Sequence, residues 1–127
     1  MYPKEVDPTV SRHSIGAAKF GTTQAYFSSI LNISAMSHGA ISANAIMALN
    51  RGAKLGHFSH NTGEGGISKY HMDGGGDLVW NVGTGYFGCG SGTSKRSFEP
   101  SLFKETLEEA KGQVKMIEIK LSQVSSV

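Results

Sequence analysis

The stretch PSLFKETLEEAKGQVKMIEIKL, residues 100–121, decides the fold class. Pro100 opens a helix over residues 101–111, because its fixed φ suits a first turn whose N–H groups have no helical partner. Leu102, Phe103, Leu107 and Ala110 recur at helical spacing and turn inward. Lys104, Glu105, Glu108, Glu109 and Lys111 make the solvated face, and Gly112 ends the helix. Residues 114–121 then alternate apolar and polar, the period of a strand. Working upstream, DLVWNVG at residues 77–83 reads as a third strand or a short helix, its period deciding neither. Residues 55–60 read as a second short strand, and the apolar run ILNISAM at residues 30–36 suits a buried first one. Between these two, Ser42 caps a helix over residues 43–51, with Ile46, Met47 and Leu49 inward and Gly52 as its stop. Helices and strands alternate, which predicts an α/β class with parallel pairing. Residues 1–27, punctuated by Pro3, Pro8, Gly16 and Gly21, carry no sustained period and read as a lead-in segment, a loose strand or arm.

Composition narrows the function classes. A chain of 127 residues is one domain. Seventeen glycines are nearly double the usual share of ~7%, and they cluster without the triplet period of collagen. A net charge of +2, from 12 basic and 10 acidic residues, is too small for a nucleic-acid arm. Lys95-Arg96 is only a two-residue basic spot. The single cysteine, Cys89, cannot close an internal disulfide, so a cysteine-rich secreted scaffold is excluded. No apolar run reaches the ~20 residues of a membrane span, and residues 1–5 lack a signal-peptide layout. The expectation is a cytoplasmic protein with neither nucleic acid nor membrane as partner.

Two glycine-dense stretches, residues 61–66 and 83–92, could carry chemistry. Glycine permits positive φ and lets a ligand approach backbone N–H groups, and nests of such donors bind oxyanions. The first stretch, Asn61-Thr62-Gly63-Glu64-Gly65-Gly66, is neither a dinucleotide fingerprint nor a Walker A sequence. The order of motifs says more. ISAMSHGAIS at residues 33–42, NTGEGG at 61–66 and IEIKLSQ at 117–123 together resemble the FMN-binding synthase domain of glutamate synthases. The shorter glutamate-synthase-like flavoproteins share His71, Gly75-Gly76-Asp77-Leu78 and the run from Gly83 to Cys89 as well. The resemblance covers residues 24–123, about four-fifths of the chain.

It implies a (β/α)8 barrel that carries FMN at the C-terminal ends of its strands. By that resemblance Ser34, Ala35, Met36 and Ser37 lie beside the flavin ring, with Met36 near the substrate. Asn61, Thr62 and Gly63 line the cofactor, and Glu64 faces the pocket for 2-oxoglutarate or 2-iminoglutarate. Lys120 touches the flavin, where a cation stabilises the reduced, anionic ring. Gln123 reaches toward the substrate. Catalysis would fall to Glu64, Met36 and Gln123.

The family continues after Gln123 with Gly-Ala-Lys-Pro-Gly, whereas this chain reads Val124-Ser125-Ser126-Val127. A closed barrel needs ~250 residues, and this fold usually builds its phosphate site near strands 7–8. An iron–sulfur cluster takes about four thiolates, and Cys89 stands alone, so no cluster is expected. The organisation is therefore read as a lead-in at 1–27, a partial FMN domain at 28–123 and a divergent tail at 124–127. The fold expected is a partial (β/α) barrel, open or completed by self-association as a homo-oligomer. The expected function is a fragment not catalytically competent alone, with FMN bound weakly or lost. The alternative is a flavin-dependent oxidoreductase that reduces 2-iminoglutarate to glutamate. His57, His60 and His71 invite a metal reading, but zinc wants three or four ligands, so they read as loop or surface histidines and no metal is expected. Trp80, Tyr86 and Phe87 read as core, and Cys89 as an inert small residue.

Overall fold

Five successive residues of one strand, Leu78 to Val82, are buried, and that places the strand at the centre of a sheet. The computed structural model describes residues 12–16 and 25–123. In chain order the elements are β1 (Arg12–Ile15), β2 (Tyr26–Ser29), α1 (Ala43–Gly56), β3 (Ser59–Asn61), α2 (Lys69–Asp73), β4 (Asp77–Val82), β5 (Gly90–Ser91), β6 (Ser97–Phe98), α3 (Pro100–Glu109) and β7 (Val114–Ile119). The central strand β4 is flanked by β3 and β7, both parallel to it. His60 pairs with Leu78 and Asn61 with Val79 on one side; Asn81 pairs with Glu118 and Val82 with Ile119 on the other. Beyond β3, Ile33 forms a parallel bridge with His60. Ile33 N–H donates to Ser59 O at 2.8 Å, and Asn61 N–H donates to Ile33 O at 3.1 Å. The spatial order Ile33, β3, β4, β7 is the order along the chain, and one helix separates each neighbour from the next.

The helices pack through single faces. Ile46, Asn50 and Ala53 of α1 are buried. Ser42 Oγ accepts from Ala45 N at 3.2 Å, as its capping role requires. The helix does not stop at Gly52. It runs on to Gly56 and closes at His57, in a left-handed conformation with φ 55°. Gly52 takes no positive φ, so the backbone has no left-handed stop there, and Ala53 in the next turn is buried. The strand expected over residues 55–60 is thereby shortened to β3. The apolar run at residues 30–36 contributes only the Ile33 bridge, and Ile30 and Leu31 are exposed. Residues 77–83 resolve as a strand, and the helix and strand of residues 100–121 form close to their expected bounds. Trp80 stacks on Phe103 of α3 with centroids 5.0 Å apart, inside a cluster with Val82, Cys89, Leu107 and Val114.

The lead-in segment contributes a strand, as one reading of it allowed, and that strand is paired in a hairpin. β1 and β2 pair antiparallel, Arg12 opposite Ser29 and Ile15 opposite Tyr26. Tyr26 OH donates to Asp77 Oδ2 at 2.8 Å, and Arg12 donates to Phe27 O and His57 O at 3.1 and 2.6 Å. The hairpin is thus tied to the N-terminal end of β4, opposite the strand ends where the glycine loops lie. The rest of the lead-in and the tail at 124–127 fall outside the described residues. Among those described, no helix is long and apolar enough to cross a membrane.

Candidate functional site

Three segments meet at the C-terminal ends of the parallel strands: residues 34–37, residues 61–66 after β3, and residues 120–123 after β7. The loop after β3 is shaped by its own side chains. Asn61 Oδ1 accepts from Gly63 N at 2.9 Å, and Gly63 takes φ +70°. A Cβ at Gly63 would fall 2.7 Å from Ser37 N, so glycine is required there twice, by its φ and by this approach. Gly65 N donates to Ser37 Oγ at 3.4 Å, and Met36 N donates to Asn61 O at 3.1 Å. Residues 34–37 and the glycine loop therefore lie edge to edge.

Across this pair stands Lys120. Its ammonium donates to Glu64 Oε2 at 2.8 Å and to Gln123 Oε1 at 2.7 Å. The hydrogen bond from Lys120, and then its charge, hold the Glu64 carboxyl below the usual carboxylate range. Lys120, Glu64 and Gln123, three residues picked from sequence, are thus brought together from positions up to 59 apart. Ser34 and Ala35 are exposed beside them. Thr62 behaves differently: it is fully buried, its N–H donates to Val79 O, and its hydroxyl donates to Gly63 O and accepts from Asn81 N. Its polar groups are spent inside the protein.

The sequence reading overlooked a polar bridge beneath this surface. Glu118 Oε2 accepts from Asn61 Nδ2 at 3.2 Å, and Glu118 Oε1 accepts from Asn81 Nδ2, so one carboxylate joins β3, β4 and β7. A cleft of about 400 Å³ opens beside it, lined by Asn32, Ser34, Asn61, Val79, Met116 and Glu118. Asn81 was the available signal, a carboxamide in the middle of an otherwise apolar strand that needs a partner once buried. His60 and His71 are both fully buried, not loop or surface residues. Among the described residues no group of three or more His, Cys, Asp and Glu side chains could hold a metal ion. Cys89 is buried, and burial pushes its thiol up, so it offers no thiolate.

The strand ends carry two polar clusters: Lys120 with Glu64 and Gln123, and Glu118 with Asn61 and Asn81, the latter on the wall of the cleft. Residues 5–126 match the family described as the conserved region in glutamate synthase. The chain belongs to the glutamate synthase family. This glutamate-synthase-like chain is also 37% identical over 99 residues to the glutamate synthase large subunit-like protein YerD of Bacillus subtilis (strain 168). That match takes in 77% of this chain and 18% of YerD, so the chain spans under a fifth of that relative. No solved structure matches it.

Proposed function

We propose that this chain is the part of a flavin-dependent, glutamate-synthase-like oxidoreductase that holds the ring side of FMN, and that it is not catalytically competent by itself. The observation that carries the reading is the Lys120 ammonium, set between Glu64 and Gln123 at the strand ends. The chain-order sheet supports a segment of a (β/α)8 barrel, since a doubly wound sheet would reverse its strand order at a switch point. The donor set fits a flavin ring. Lys120 supplies positive charge to the reduced ring, and Ser34 and Ser37 offer hydroxyls along one edge of the site. Glu64 can orient a donor-bearing substrate such as 2-iminoglutarate, with Gln123 beside it. FMN, when bound, supplies the hydride that reduces this imine to glutamate. The glycine loop at residues 61–66 is a poor phosphate cradle, because it carries the Glu64 carboxylate and the adjacent Lys120 is already paired with it.

Fluorescence titration of the whole chain with FMN and riboflavin tests the reading. Both should bind at about micromolar affinity or weaker, and within ~3-fold of each other, because ~0.7 kcal/mol is all the phosphate should add here. Lys120→Ala should weaken both about tenfold, a loss of ~1.4 kcal/mol. Unchanged affinity in that variant would remove Lys120 from the flavin site. A tight, stoichiometric FMN complex would favour a chain active by itself.

A further inference from the structure

We propose that His71 positions the Met36–Ser37 peptide of the site, through one imidazole tautomer that backbone groups fix at both ring nitrogens. Its functional weight rests on the flavin-side reading of residues 34–37. On one edge of the ring, Nδ1 lies 3.1 Å from Ser68 N and 2.8 Å from Ser68 Oγ. A backbone N–H can only donate, so Nδ1 carries a lone pair. On the other edge, Nε2 lies 2.8 Å from Met36 O. A carbonyl oxygen can only accept, so Nε2 carries the hydrogen. The same ring therefore closes the capping box of α2, in which Ser68 Oγ accepts from His71 N, and holds a peptide 35 residues upstream.

Met36 is clamped from two elements. Its N–H donates to Asn61 O at the end of β3, while its C=O accepts from His71 Nε2–H. Ser37 follows directly, and its Oγ receives Gly65 N, while its own N marks the space that a side chain at Gly63 would enter. The orientation of one peptide thus sets how the glycine loop bearing Glu64 seats against residues 34–37. Burial lowers the pKa of the ring, against the hydrogen bond to Met36 O, which raises it; the His60 ring, on β3, lies 5.3 Å away. A cationic ring would set an Nδ1–H against the Ser68 N–H. Neither amide serves both ring positions at once, but glutamine can keep the bond to Met36 O. Asparagine puts its carboxamide near the Nδ1 place and falls short of Met36 O. Glutamine reaches the Nε2 place but cannot serve Ser68 in the same conformation.

The test uses the whole ¹⁵N-labelled chain. A long-range imidazole ¹H–¹⁵N spectrum should show His71 as the Nε2–H tautomer, a measurement that needs no variant. In His71→Asn, amide exchange at Met36 and Gly65 should quicken about tenfold or more, and His71→Gln should bring it back to within about threefold of wild type. FMN titration of the three proteins should follow the same order. An Nδ1–H tautomer, or equal exchange at Met36 and Gly65 in the two variants, would overturn the proposal. If tautomer and exchange hold but FMN affinity is the same in all three proteins, the positioning role stands and the flavin-side reading of residues 34–37 falls.

Discussion

His60 and His71 show how far a residue's chemistry depends on neighbours that are distant in sequence. His60 lies fully buried beside Asn50, whose Nδ2 sits 3.3 Å from Nδ1, while Asn50 Oδ1 accepts from Gly76 N. Burial first, and then the neighbouring His71, push the His60 pKa down to about 4, and burial lowers that of His71 as well. An unfolded chain takes up these protons near 6.5. Between there and about 4 the unfolded state binds more protons than the folded one, so stability rises with pH across the window. It should be complete above about 6.5 and lost progressively as the pH falls towards 4. Urea unfolding followed by Trp80 fluorescence should therefore give a lower midpoint at pH 5 than at pH 7; equal midpoints would contradict the buried neutral pair. None of this was legible in the spacing of the histidines, because the groups that orient the two rings stand 10 and 35 residues away. Lys120, Glu64 and Gln123 were legible because motif order carries them.

At the scale of elements, local signals held where the chain itself enforces them. Ser42 caps α1 because its hydroxyl meets an N–H three residues on, wherever the helix later packs. Ser42→Ala should cost about 1 kcal/mol, read as a shift in the urea midpoint with an unchanged slope. A loss below ~0.3 kcal/mol would mean that water satisfies the end equally well. The same local reasoning misplaced the end of α1, since the glycine at position 52 carries no positive φ and burial of Ala53 draws the helix onward. β4 gave no period because both of its faces are covered: Leu78, Trp80 and Val82 alternate with Val79 and Asn81, and all five are buried. β1 gave only a weak signal for the opposite reason, as three of its four residues are exposed and its hairpin pairing leaves no apolar period.

At the scale of the whole molecule, β7 is an outer strand with uncovered apolar side chains. Ile119 is 67% and Leu121 90% exposed, with Ile117 partly exposed behind them. A parallel sheet is stable when both faces are covered, so this surface favours association. Light scattering at ~10–100 μM, where exposed apolar surface drives association, should give a mass above 13.5 kDa. Replacing Ile117, Ile119 and Leu121 together by serine should restore the monomer, and a monomeric wild type would refute the expectation. Fold class, the alternation of helix and strand, and the family could be read from near neighbours, where periodicity, caps and motif order are written. Folding in three dimensions made β4 central, turned Thr62 inward, set Glu118 across three strands and brought His71 onto Met36. Those facts depend on strand register and crossover, which bring residues tens of positions apart into hydrogen-bond contact at 3.2 Å or less. No local pattern of hydrophobicity records such a distance.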